Sequence, residues 1–143
     1  MDVAHEQSSK KSLYKHNIIG SDILSNNLKI AQANIDNIYL GNKIQLIHKQ
    51  FQEFIPPEEN GILIVNPPYG ERLKKKEMNN FYAMIGERLK HKFAGYQVWL
   101  LSGNSEAIKY IGLKPSRRIA LLNGSIECTY LNFSMYEGSK KNK

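Results

Sequence analysis

A chain of 143 residues with 41% hydrophobic content is one domain or part of one, long enough to bury a core and too apolar for a disordered segment. No apolar run approaches the length of a membrane span, and the polar start lacks a signal-peptide apolar stretch. The lone Cys128 excludes an internal disulfide, and the formal net charge of +7 suits either a polyanionic partner or a merely solvated basic surface. These features lead to the expectation of a cytoplasmic protein without membrane or metal.

Residues 1–16 show no period and read as a polar N-terminal arm. Asn17-Ile18-Ile19-Gly20-Ser21-Asp22-Ile23 reads as a short buried strand ending in an acid. Leu28, Ala31, Ile35 and Ile38 then fall on one helical face, with Gly41 as the expected C-cap. Residues 43–49 alternate as a strand, and residues 51–60 form a loop punctuated by Pro56-Pro57. Ile62-Leu63-Ile64-Val65 is an apolar run of the kind buried on both faces of a parallel sheet. Residues 74–79 are expected as a charged loop. Phe81, Met84, Ile85, Leu89 and Phe93 make a helical core stripe closed by Gly95. Residues 96–101 form a strand with Trp99 in the core, and Ser105 caps a short helix to Tyr110. Residues 118–122 and 126–136 are strands joined at Asn123-Gly124, a strong hairpin signal. Residues 137–143 are a basic tail.

Alternating strands and helices specify an α/β three-layer fold. The expected architecture is a mostly parallel sheet over residues 17–136 with a C-terminal antiparallel hairpin.

Chemistry concentrates after the central apolar run, at Asn66-Pro67-Pro68-Tyr69. Two prolines cannot donate to a sheet ladder, so the strand stops there. The chain leaves at the carboxyl end of the strand, where open α/β sheets bind ligands. An amide, carbonyls held by proline geometry and a flat ring can together hold an exocyclic amine on a planar base. The alternative is a proline-stiffened turn.

Asn66-Pro67-Pro68-Tyr69-Gly70-Glu71-Arg72-Leu73 resembles the motif of THUMP-associated class I S-adenosylmethionine-dependent RNA methyltransferases, especially those acting on guanine-N2 of large-subunit rRNA. The resemblance runs from about Asn17 to Tyr136 through Gly20-Ser21-Asp22-Ile23, Leu101-Ser102-Gly103-Asn104, Ile111-Gly112-Leu113-Lys114 and Leu122-Asn123-Gly124-Ser125-Ile126-Glu127-Cys128. It implies a Rossmann-like fold, S-adenosylmethionine as cofactor and RNA as partner. It implies that Asn66 and the Pro67 carbonyl accept hydrogen bonds from the target amine, that Pro68 stiffens the motif, and that Tyr69 stacks on a flipped base. The cofactor would lie against Asp22, Ile23, Gln50 and Phe51, with Asp22 accepting from ribose hydroxyls. Asp22 also reads as a helix N-cap. The family often carries a second acid where Leu24 stands, and an Asp where Gln50 stands. Glu71 and Arg72 suit either RNA phosphate or a surface ion pair, and Asn104 is a further rim residue. His5, His16, His48 and His91 show no metal-ligand spacing.

The sequence contains no Gly-rich turn of the form Gly-Ser-Gly-Thr, which precedes the acid-ending strand in that family, and no THUMP domain. The resemblance therefore implies the C-terminal half of a longer enzyme, inactive alone, whose first strand belongs between the strand ending at Asp22 and the strand ending at Asn66. Without it those two strands close up, accept a segment of a companion N-terminal half, or fold poorly. A tRNA guanine-N2 enzyme and a non-catalytic RNA-binding remnant are the alternatives. The stretch Gly70-Glu71-Arg72-Leu73 argues against DNA adenine enzymes.

Overall fold

The computed structural model describes residues 15–68 and 73–136, which fall into two compact units dividing after Phe54. The first holds strand β1 (Ile18–Asp22), helix α1 (Ser25–Asn37), strand β2 (Ile44–His48) and a 3-10 turn (Phe51–Glu53). The β1 and β2 strands are parallel, with Asp22 level with His48. Such a crossover needs a covering helix, and α1 supplies it, with Ile35 as its buried residue.

Gly41 does not cap α1. Tyr39 takes the left-handed position with φ 59°. The Tyr39 N–H donates to the Asp36 carbonyl and the Leu40 N–H to the Ile35 carbonyl, both at 3.1 Å. This is a Schellman termination two residues earlier than expected, on a residue less suited to it than glycine.

The second unit carries β3 (Gly61–Val65), α2 (Lys75–Lys92), β4 (Tyr96–Ser102), α3 (Ser105–Ile108), a 3-10 turn (Lys109–Ile111), β5 (Arg117–Asn123) and β6 (Ile126–Ser134). Its sheet has the order β3-β4-β6-β5. The β3–β4 ladder is parallel, and β6 runs antiparallel to both β4 and β5. The expected α/β fold with a closing antiparallel hairpin is therefore present, with its strands divided between two sheets. Among the described residues β1 pairs with β2 alone and β3 with β4 alone.

Three local expectations are corrected. The charged stretch at 74–79 is not a loop: α2 begins at Lys75, because Met78 and Asn79 already point inward and continue the buried line of Tyr82, Ile85 and Leu89. Asn104, not Ser105, caps α3, its Oδ1 accepting from the Ala107 N–H at 2.9 Å. In the hairpin Asn123 pairs with Ile126, so the two-residue turn is Gly124-Ser125, with positive φ on Gly124. Glycine first in the central pair suits a two-residue hairpin turn.

The core of this unit lies on one face of its sheet. Val98 and Leu100 of β4, Leu131 and Phe133 of β6, and Tyr82, Ile85 and Leu89 of α2 are all buried. Trp99 alternates to the opposite face and is only half-buried, in ring contact with Tyr130 at 5.0 Å, so the expectation of a core tryptophan fails. Cys128 is buried, as expected of a small apolar side chain. No helix among the described residues is long and apolar enough to cross a membrane.

Candidate active site

In the first unit the parallel ladder brings the carboxyl ends of β1 and β2 to one rim. Asp22 is half-buried there. Its Oδ1 accepts from the Leu24 N–H at 2.7 Å and its Oδ2 from the Asn27 side-chain amide at 3.2 Å. The N-cap position of α1 is Leu24, without a side-chain cap. Asp22 is therefore not the N-cap; it closes an Asx turn just before the helix.

The turn is held from the β2 side. His48 Nε2 donates to the Ile23 carbonyl at 2.8 Å, the Lys49 N–H donates to the Asp22 carbonyl at 3.1 Å, and the Ser21 hydroxyl donates to the Lys49 carbonyl at 2.6 Å. His48 was legible only as a histidine without ligand spacing; its parallel partnership with Asp22 shows its positional role. Gln50 and Phe51 follow on the same rim, both half-buried, where Gln50 opens the 3-10 turn.

This rim fits the ribose and adenine end of an adenosyl cofactor. A strand-end carboxylate retains lone pairs for hydroxyl donors, Gln50 offers amide groups, and Phe51 offers a flat apolar surface.

In the second unit Asn66 emerges exposed from β3, Pro67 is buried and Pro68 is exposed. Tyr69, Gly70, Glu71 and Arg72 lie outside the described residues. The side-chain amide of Asn66 makes no hydrogen bond to a described residue. The turn is fixed from behind by a residue absent from the expected helical stripe. Tyr82, fully buried on α2, donates its hydroxyl to the Pro68 carbonyl at 3.0 Å. Its oxygen lies 2.6 Å from the buried Ser102 Oγ at the end of β4, and Ser102 Oγ accepts the Asn104 N–H at 3.0 Å. Proton counting sets the direction of this relay. Tyr82 has one proton, given to Pro68, so Ser102 donates to Tyr82.

Asn104 thus caps α3 through its side-chain oxygen and anchors this relay through its backbone N–H. Tyr82→Phe is expected to destabilise the protein by about 1–3 kcal/mol, because it leaves the buried Ser102 hydroxyl without its acceptor while removing almost no volume. Urea unfolding monitored by Trp99 fluorescence checks this; an unchanged midpoint would remove the relay from the account.

Among the described residues no group of His, Cys, Asp or Glu is placed to hold a metal. A family model described as the RMKL-like methyltransferase domain matches residues 2–132. A candidate RNA methyltransferase of Synechocystis sp. is 38% identical over 118 residues, covering 82% of this chain and 31% of that protein. The ribosomal RNA large subunit methyltransferase K/L of Shewanella loihica is 33% identical over 123 residues, covering 85% of this chain and 17% of its own. Among solved structures, the candidate methyltransferase SMU.472, crystallised with SAH, superposes with a TM-score of 0.79 at 24% identity, over 97% of this chain and 39% of its own. That likeness places the fold among class I methyltransferases. The chain spans about a third or less of the length of these two curated relatives.

Proposed function

The chain belongs to the RMKL-like methyltransferase-domain family, and from that membership we propose that it carries the amine-binding motif of an enzyme that methylates the exocyclic N2 amine of a guanine in large-subunit rRNA. The observation that carries the reading is the Asn66 amide, exposed at the carboxyl end of β3 and without a hydrogen bond to a described residue, beside a turn whose Pro68 carbonyl is held by Tyr82. S-adenosylmethionine supplies an electrophilic methyl group on a sulfonium.

Asn66 Oδ1 and the Pro67 carbonyl accept the two hydrogens of the amine. That would orient the nitrogen lone pair toward the methyl group the cofactor would supply when bound against Asp22, Ile23, Gln50 and Phe51. A guanine N2 amine is weakly basic and becomes acidic only as it is methylated, so its proton leaves late, to water, and needs no strong base beforehand. Positioning then supplies most of the acceleration. Tyr69 stacks on the flipped base, and stacking of this kind contributes about 1–3 kcal/mol per base. Asp22, Ile23, Gln50 and Phe51 hold the adenosyl end of the cofactor. The rest of the cofactor cradle comes from a companion part of the fold that this sequence does not contain, since no Gly-rich turn follows any of its strands.

The test is methyl transfer to unmodified rRNA by this chain co-expressed with a complement. The complement is the part of the Synechocystis relative outside its 118 matched residues. N2-methylguanosine, identified by nucleoside mass spectrometry, is the expected product. Methyladenosine as the sole product would overturn the substrate assignment, and modification confined to tRNA would transfer it to the alternative RNA.

A further inference from the structure

Three cations from separate elements surround one cleft in the second unit. Lys109 opens the 3-10 turn, Lys114 lies in the loop after it, and Arg118 is the second residue of β5. The cleft has a volume of about 580 Å³ and a floor of Leu131 and Phe133, on the buried face of the sheet. Tyr82 of α2 reaches Ser102 on that same face, so the described helical segments of this unit all lie on one side.

Local structure builds the cleft. Gly112 ends the 3-10 turn with φ 70°, a left-handed residue that redirects the chain into the loop before β5. The Ser116 N–H then donates to the Asn132 carbonyl at 2.7 Å, which fastens the start of β5 to β6. Arg118 stands level with Leu131, and Leu131 with Leu100. Register therefore sets Arg118 on the covered face, where a core residue is the usual occupant. Arg118, Ala120 and Leu122 share that face and are all exposed, so the helical cover stops short of β5.

The three side chains are exposed, and none makes a hydrogen bond or ion pair with a described residue. Among the described residues lining the cleft none is acidic. Glu106 of α3 is engaged by Lys75 at 3.0 Å, and Glu87 of α2 by Lys90 and His91 at 3.2 Å each. Like charges around one cavity repel one another, so an anion that enters it relieves the repulsion. Inward-pointing charge on a terminal strand also guards a sheet against edge pairing. That accounts for Arg118 and not for Lys109 and Lys114, which lie off the strand.

We propose that this cleft is a second contact site for the RNA substrate. Lys109, Lys114 and Arg118 pair with backbone phosphates, and Ile108, Leu113 and Pro115 take the sugar and base of the nucleotide between them. The proposal rests on the functional reading above for the nature of the strand. Charge complementarity selects a polyanion. The half-buried apolar walls select a nucleotide over a carboxylate chain, because they add affinity only for a ligand with a flat body beside its charge. Arg118 adds a planar fork suited to phosphate. The cleft lies over β6 and β5, two to three strand spacings from β3, roughly 10–15 Å. A strand whose target base meets Asn66 reaches it within a few nucleotides. Such a contact fixes the register of the strand without reading its bases.

The experiment measures binding of a short fluorescein-labelled single-stranded RNA to the full chain by anisotropy, over a salt series. Lys109→Gln/Lys114→Gln/Arg118→Gln should lose at least about tenfold in affinity. It should also lower the slope of log affinity against log salt by about 2, from three contacts at about 0.7 each. All three side chains are exposed, so the variant should keep the wild-type urea midpoint. Lys15→Gln/Lys29→Gln/Lys92→Gln removes the same charge from exposed positions outside the cleft and should stay within about twofold of wild type. No RNA binding by the wild-type chain, an unchanged triple variant, or an equal loss in the control variant overturns the proposal. So does displacement of the RNA by polyglutamate or free guanosine monophosphate as readily as by unlabelled RNA, which would assign the cleft to an acidic peptide or a mononucleotide. If the cleft binds RNA as described and the complemented chain transfers no methyl group, the functional reading fails and the cleft stands. Methyl transfer to guanine by a protein whose triple variant binds RNA normally does the reverse.

Discussion

Asn66→Ala in the complemented enzyme is expected to lower the rate of methyl transfer by roughly a hundredfold or more while leaving cofactor affinity within about twofold. The amide stands exposed at the end of β3, and Asp22 and Gln50 belong to the rim of another sheet. The proposed role touches only the target amine. Its loss removes one of two acceptors that align the nitrogen lone pair, so kcat falls with kcat/KM, and the effect is one of transition-state stabilisation. Asn66→Asp keeps an acceptor of nearly the same shape and should retain more activity than alanine. The checks are single-turnover methyl transfer and calorimetric titration of S-adenosylmethionine. Full activity of the alanine variant would overturn the mechanism, and a parallel collapse of cofactor binding would move Asn66 into the cofactor site.

Gly86→Ala should destabilise the protein by about 1–3 kcal/mol, opposite in sign to the usual helical substitution. In an open helix alanine is favoured over glycine by about 1 kcal/mol. At Gly86, buried mid-way along α2, an added Cβ would run into the backbone carbonyl of Ile111 in the 3-10 turn. The obstacle is main chain, so no rotamer change relieves it; α2 or the turn must move. Because α2 carries Tyr82, a shift should also loosen the Pro68 anchor. The urea midpoint measures the first effect, and hydrogen exchange at Asn104, whose N–H donates to Ser102, reports the second. A stabilised Gly86→Ala protein would show that the close approach is not maintained.

The motif strand and its surroundings were legible because their signals are local. A four-residue apolar run halted by two prolines can hardly be anything other than a strand end, and β3 stops at Val65 as the prolines require. The acid-ending first strand and the residues after the second converge because parallel pairing aligns their carboxyl ends, so Asp22, Ile23, Gln50 and Phe51 share a rim. Capping was less legible. Asn104 and Ser105 are both good caps, and only the path of the chain after β4 selects the first. Asn123-Gly124 pointed to the right hairpin but the wrong central pair, and a slip of one residue exchanges the two faces of a strand. The true register sets Leu121 opposite Cys128 on the open side of the sheet.

By itself the sequence determined the α/β class, the order of strands and helices, the antiparallel closing hairpin, and the strand end at which Asn66-Pro67-Pro68 stands. Each depends on periodicity or on prolines acting within a few residues. Tertiary structure decided what supports the motif and what remains uncovered. Tyr82 stands outside the helical stripe the sequence shows, yet folding carries it across fourteen positions to the Pro68 carbonyl and twenty to Ser102. Trp99 and Ile64 read as core residues of buried strands. They became a surface because burial on both faces of a parallel sheet needs a second layer of helices, and the described helices of this unit all pack on the other side.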